Sequence, residues 1–144
     1  MFINNKYVRH GEIDKKLSYP LYFRDFETIN PAIPPYDGLR PYEQIPFQAS
    51  IHIQRTDGGK IEHVEYLGDG KTDPRPGLVK CLVETIVPKG SVIAYNAPFE
   101  GRCLAGLATA FPKMSTRLLS IKERLWDLAD AFSKGHYMHP GFNG

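Results

Sequence analysis

Asp25 and Glu27 stand two residues apart in YFRDFETIN, residues 22–30, at the end of an apolar run. On a strand, residues i and i+2 leave the same face, about 6–7 Å apart at the backbone. Carboxylates so placed suit hard divalent cations such as Mg²⁺ or Mn²⁺, which take oxygen ligands. Two such ions about 3.5–4 Å apart activate water and stabilise the leaving oxygen in phosphodiester cleavage. The bland alternative is a pair of strand-end carboxylates held by Arg24, Arg40 or a backbone amide. For an isolated Asp-x-Glu that is the commoner case. A second constellation, YNAPFE at 95–100, sets Asn96, Phe99 and Glu100 where an apolar run gives way to a helical pattern. Its structural reading is a cap from Asn96 and a dipole-complementing Glu100. Asp127 and Asp130 follow in ERLWDLADAF.

These groups need elements to hold them. Residues 1–18 are polar without clear periodicity and read as a linker. YPLYFRDFE reads as a strand. Tyr19, Leu21, Phe23, Asp25 and Glu27 share one side, and Pro20, Tyr22, Arg24 and Phe26 the other. Bulky apolar residues on both sides mark a central strand. NPAIPPYDGLRP must be a loop, because four prolines exclude a ladder or a helix interior. PFQASIHIQR and KIEHVEYLG, joined by DGG, read as an antiparallel hairpin. LVKCLVETIV is a helix ending before Pro88. GSVIAYN is a short buried strand, and PFEGRCLAGLATAF is a helix opening on proline. STRLLSIKERLWDLADAF, with Leu118, Ile121, Leu125 and Leu128 at spacings of three and four, predicts one last helix capped by Ser115 or Thr116. The order β-β-β-α-β-α-α predicts an α/β fold, a mixed sheet with helices packed on it.

The 144 residues suffice for one domain with a real core. A net charge of +2 does not by itself argue for nucleic acid, so a polyanion would need a local basic patch or bound cations. Two cysteines, Cys81 and Cys103, lack metal-ligand spacing and read as buried helical thiols. No run of about 18 apolar residues spans a membrane. The N-terminus lacks a signal-peptide core, which makes the cytoplasm the default location. There is no glycine-rich phosphate loop, and Ser120 and Ser133 lack a nucleophile elbow. The C-terminus, HYMHPGFNG, stops without a cap and reads as the end of a fragment. Its His136 and His139 read as part of a surface turn.

Asp25-x-Glu27, the hairpin and YNAPFE together resemble the first two motifs of the DEDD 3′–5′ exonucleases, which have a ribonuclease H-like fold. Glu100 stands where most members carry Asp. A closer resemblance covers most of the chain. YPLYFRDFETINPAIPPYDGLRPYEQIPFQASIHI, YNAPFE, ERLWDLADAF and YMHPGFNG are similar to a bacterial family catalogued as domain of unknown function 2779, grouped with the ribonuclease H-like nucleases. The resemblance implies a domain over residues 19–144, truncated at its C-terminus. It implies a metal-dependent nuclease acting on DNA or RNA, most simply as a 3′–5′ exonuclease with a two-ion Mg²⁺ or Mn²⁺ site. Asp25, Glu27 and Glu100 would be catalytic metal ligands, and Asp127 a further ligand. Asn96, Phe99, Thr28 and Arg40 would meet substrate, with Tyr36, Tyr42 and Phe47 near the proline loop as stacking candidates. The third motif, a Tyr or His a turn before an Asp, is absent, so the 144 residues alone are expected to be nearly inactive. Two rivals stand beside this reading: a non-catalytic nucleic-acid-binding or interaction module with a degenerate metal site, and a phosphohydrolase of small nucleotides.

Overall fold

The strand that carries Asp25 and Glu27 runs through the middle of a sheet. It is β1, Leu21–Ile29. The computed structural model describes residues 17–133, with side chains through residue 130. The expected linker therefore lies almost wholly outside the described residues, as do His136 and His139. Antiparallel to β1 lies β2 (Ile45–Gln54), which forms a hairpin with β3 (Ile61–Leu67). The helix α1 (Arg75–Thr85) then crosses to β4 (Ser91–Ala94), which lies parallel to β1. The helix α2 (Ala97–Ala110) and a 3₁₀ turn (Pro112–Met114) lead into α3 (Ser115–Glu123). The chain closes with β5 (Leu125–Asp127) and α4 (Leu128–Ser133). The sheet order is β3-β2-β1-β4-β5, a mixed sheet as the element order predicts.

The two-residue period divides this sheet into unlike faces. Tyr22 and Phe26 of β1, Ala49, Ile51 and Ile53 of β2, and Val92 of β4 share one apolar core with α1, α2 and α3. Leu78 and Leu82, Leu104 and Leu107, and Leu118 and Ile121 are the helices' contributions, all buried. The opposite face holds Phe23, Asp25 and Glu27. One row there crosses all five strands, pairing His63 with His52, His52 with Phe23, Phe23 with Ile93, and Ile93 with Trp126. The His52 and His63 rings stack at 4.3 Å. All four residues of β4 are buried, as a continuous apolar run requires. Gly90 enters β4 with φ +89°, and a Cβ there would strike the Pro20 carbonyl, so glycine is what lets β4 start against β1.

One predicted element is corrected. Residues 115–132 are not one helix: α3 stops at Glu123, and Leu125–Asp127 pairs with β4. Arg124 makes the break. Its Nη1 donates to the Gly90 carbonyl at 3.0 Å, and its own carbonyl accepts from Val92 N–H at 3.1 Å. Strand pairing wins over local helical periodicity, because β4 would otherwise leave an unpaired edge in the interior. Ser115 and Thr116 do not cap α3, which continues directly from the 3₁₀ turn with no side-chain cap. Both cysteines are free thiols in helices, Cys103 buried and Cys81 half-buried. Among the described residues no helix is long and apolar enough to cross a membrane.

Candidate functional site

The end of β1 is where the regular pairing of the sheet changes. The β1–β4 register stops at Phe23–Ile93, so from Arg24 onward β1 runs past its parallel neighbour. The amides on that side then need another partner. Phe26 N–H finds it in Glu100 Oε1, 3.2 Å away in the first turn of α2. Asn96 starts that turn, its side-chain oxygen accepting from Phe99 N–H at 3.2 Å. Asn96 is thus a helix cap, and Glu100 is carried to the strand by the helix it opens.

Glu100 also meets a charge that sequence reasoning had assigned to Asp25 and Glu27. Arg24 Nη1 lies 2.8 Å from Glu100 Oε2, with the two side chains 0% and 4% exposed. The contact is an ion pair without an aligned hydrogen bond, since Glu100 Oε2 and all three guanidinium nitrogens of Arg24 lack one. The guanidinium lies over the Phe26 ring at 4.0 Å, as residues two apart on one face allow. Burial pushes Arg24 below its ordinary value, opposed chiefly by Glu100. Burial likewise pushes the Glu100 carboxyl up, opposed by Arg24 and by the Phe26 amide. Cys103, one turn along α2, is pushed up to about 11 by burial and by Glu100.

Asp25 and Glu27 are treated differently. Both are exposed on the open face. Neither forms an ion pair or a side-chain hydrogen bond among the described residues. A register shift between Glu27 and Thr28 bends the strand just beyond them. Thr28 donates to Gln44 Oε1 at 2.8 Å, tying the strand end to the base of the proline loop. Asp127 sits at the end of β5, not late in a helix, and its Oδ1 accepts from Ala129 N–H at 2.9 Å, capping α4. Among the described residues, no three His, Cys, Asp or Glu side chains stand close enough together to hold a metal ion. The residues fit a cation only in part: Asp25 and Glu27 are uncommitted hard donors, whereas Glu100 is engaged by Arg24.

The expected substrate residues sit on the helix side and in the loop. Phe99 is half-buried against the core, with Arg102 Cζ 5.9 Å from its ring. Arg40 is exposed, and its backbone N–H donates to Glu43 at 2.9 Å. Tyr42 adopts φ +60° and keeps 69% of its surface exposed, while its N–H bonds to the Pro31 carbonyl. Sequence reasoning offered Arg24 to Asp25 and Glu27 rather than to Glu100, although its parity with Tyr22 and Phe26 already put it on the core face. It missed Arg75 and Arg102, which only the packing of α1 and α2 brings near the proline loop.

A family model described as Domain of unknown function (DUF2779) matches residues 22–144. The chain belongs to this family. Its match covers every element of the sheet and the helices. The chain is also similar to the Uncharacterized protein MG366 homolog of Mycoplasma pneumoniae, 29% identical over 126 residues. That alignment takes in 82% of this chain but 19% of the relative, so the family domain here spans about a fifth of that protein's length. No solved structure matches the chain.

Proposed function

We propose that this domain is the metal-binding core of a metal-dependent nuclease hydrolysing phosphodiester bonds of DNA or RNA, most simply a 3′–5′ exonuclease with a ribonuclease H-like fold. The observation that carries the reading is the pair Asp25 and Glu27: two exposed carboxylates on one face, unpaired among the described residues, at the open end of the central strand. Charges with no protein partner at such a point are available to a cation. The β-β-β-α-β order of the sheet and α2 supports the same reading. Asp25 and Glu27 would hold Mg²⁺ or Mn²⁺, with a group from the remainder of the protein completing the set, because Glu100 is engaged by Arg24. The ion, when bound, polarises a phosphoryl oxygen and lowers the pKa of water. Glu100 as it lies orients the strand end by holding Phe26 N–H and Arg24.

A second reading is favoured by one observation. Glu100 is committed to Arg24, so a non-catalytic nucleic-acid-binding module is the alternative. A nuclease assay of the full-length protein with Mn²⁺ separates the two. Asp25→Asn is expected to lower cutting at least about a hundredfold with the fold intact. Absence of cutting by both proteins would leave the binding module. Competition by free nucleotide stronger than by oligonucleotide would instead indicate a small-nucleotide phosphohydrolase.

A further inference from the structure

Two adjoining hollows lie between the proline loop and the outer side of α2. One, of about 540 Å³, is lined by Arg40, Tyr42, Thr109 and Ala110 among others. The second, of about 250 Å³, is lined by Phe99, Arg102, Cys103 and Leu107 among others. Glu43, Arg75 and Gly106 border both, so they form one continuous cleft. Its cations outnumber its carboxylates. Arg75 is fixed by Asp73, with Nη2–Oδ2 at 2.7 Å, and Glu43 caps the Arg40 amide. Arg40 and Arg102 form no ion pair among the described residues.

Gly106 shapes the floor of the cleft. It lies well inside α2, where glycine costs about 1 kcal/mol relative to alanine. A Cβ there would meet nothing within 4 Å, so no neighbour in the fold requires the missing side chain. With no side chain at Gly106, the helix backbone itself borders both hollows and leaves room for a ligand to lie against it. The walls state its chemistry: guanidinium groups for anions, and aromatic rings at either end, Tyr42 exposed and Phe99 beneath Arg102. Guanidinium is the side chain best matched to phosphate, and aromatic rings stack on bases of any sequence.

We infer that the cleft between the proline loop and α2 binds the backbone of single-stranded nucleic acid, with Arg40 and Arg102 facing phosphates and Gly106 admitting the strand against the helix. The choice of ligand rests on the phosphodiester reading above; the cleft itself does not involve Asp25 or Glu27. The test is fluorescence anisotropy of labelled oligothymidylate with the full-length protein in EDTA, where hydrolysis is suppressed. Gly106→Leu and Arg102→Glu are each expected to weaken binding about tenfold, and Arg102→Ala to lower the salt slope by about 0.7. Gly106→Ala is the folding control, since its methyl meets no neighbour. Wild-type binding by Gly106→Leu and Arg102→Glu overturns the inference, as does absence of oligonucleotide binding or preference for polyglutamate. The two readings fail separately. Cutting that depends on Asp25 while the cleft variants bind normally removes the cleft alone. Binding that depends on the cleft, in a protein that never cuts, removes the nuclease alone.

Discussion

Adjacent residues of β1 treat charge in opposite ways. Arg24 turns under the helices, where Glu100 meets it in a dry setting beside Phe26 and Cys103. Asp25, the next residue, turns to the open face with Glu27, and neither forms an ion pair or side-chain hydrogen bond among the described residues. The pleat alone makes this separation, because successive side chains leave opposite faces. The comparison teaches that one acidic motif residue and two others do unlike work. Glu100 is committed to holding the strand end, whereas Asp25 and Glu27 are left free to act on something from outside.

The largest expected effect comes from breaking the sheltered pair. Arg24→Met leaves the Glu100 carboxylate buried without its cation, which costs about 3–5 kcal/mol at neutral pH. Denaturant melts would measure it. The double variant Arg24→Met/Glu100→Gln, which still accepts from Phe26 N–H, should recover most of the loss. Its pH dependence has a definite sign. Burial raises the Glu100 pKa in the folded state above its unfolded value. Stability tied to the protonated form is therefore full below the unfolded value and lost as pH rises through the folded one. The single variant should accordingly approach the double variant as pH falls through the carboxylate range. A loss that stayed constant with pH would contradict the sheltered setting of Glu100.

A smaller effect concerns the thiol beside the pair. Cys103 is buried and pushed up to about 11, so it should react with a thiol reagent at mildly alkaline pH far more slowly than the half-buried Cys81. Mass-spectrometric mapping of labelling over time would read both. Equal rates would mean that the helix side opens readily. The smallest effect belongs to the open face. Asp25→Asn and Glu27→Gln should each change stability by no more than about 0.5 kcal/mol, because neither carboxylate supports the fold. A large loss from either would show them to be structural and would erase the contrast.

Much of this was legible in the residues. The alternation in YPLYFRDFE assigned both faces of β1, and DGG between apolar runs placed the hairpin. The continuous apolar SVIA gave a buried strand, and Asn96 served as the cap its type and position suggested. What escaped was set at long range. Leu125 and Leu128 extend a helical period, yet three residues of strand are too short for alternation to register, and pairing with β4 decides them. The partner of Glu100 was equally hidden, because Arg24 lies 76 residues earlier in sequence. Local spacing carries no information about which helix will arrive over the end of which strand.

The two rims of the sheet are left by β3 and β5. The latter offers three residues, too few to recruit another strand. The former is seven residues long with one side unpaired among the described residues, but Glu62, His63 and Glu65 are exposed along it. Glu62 is held by Arg55 at 2.6 Å, and Glu65 forms no ion pair among the described residues, so a strand docking on this border would have to bury charge. Replacing both glutamates with neutral residues would remove that obstacle from the margin.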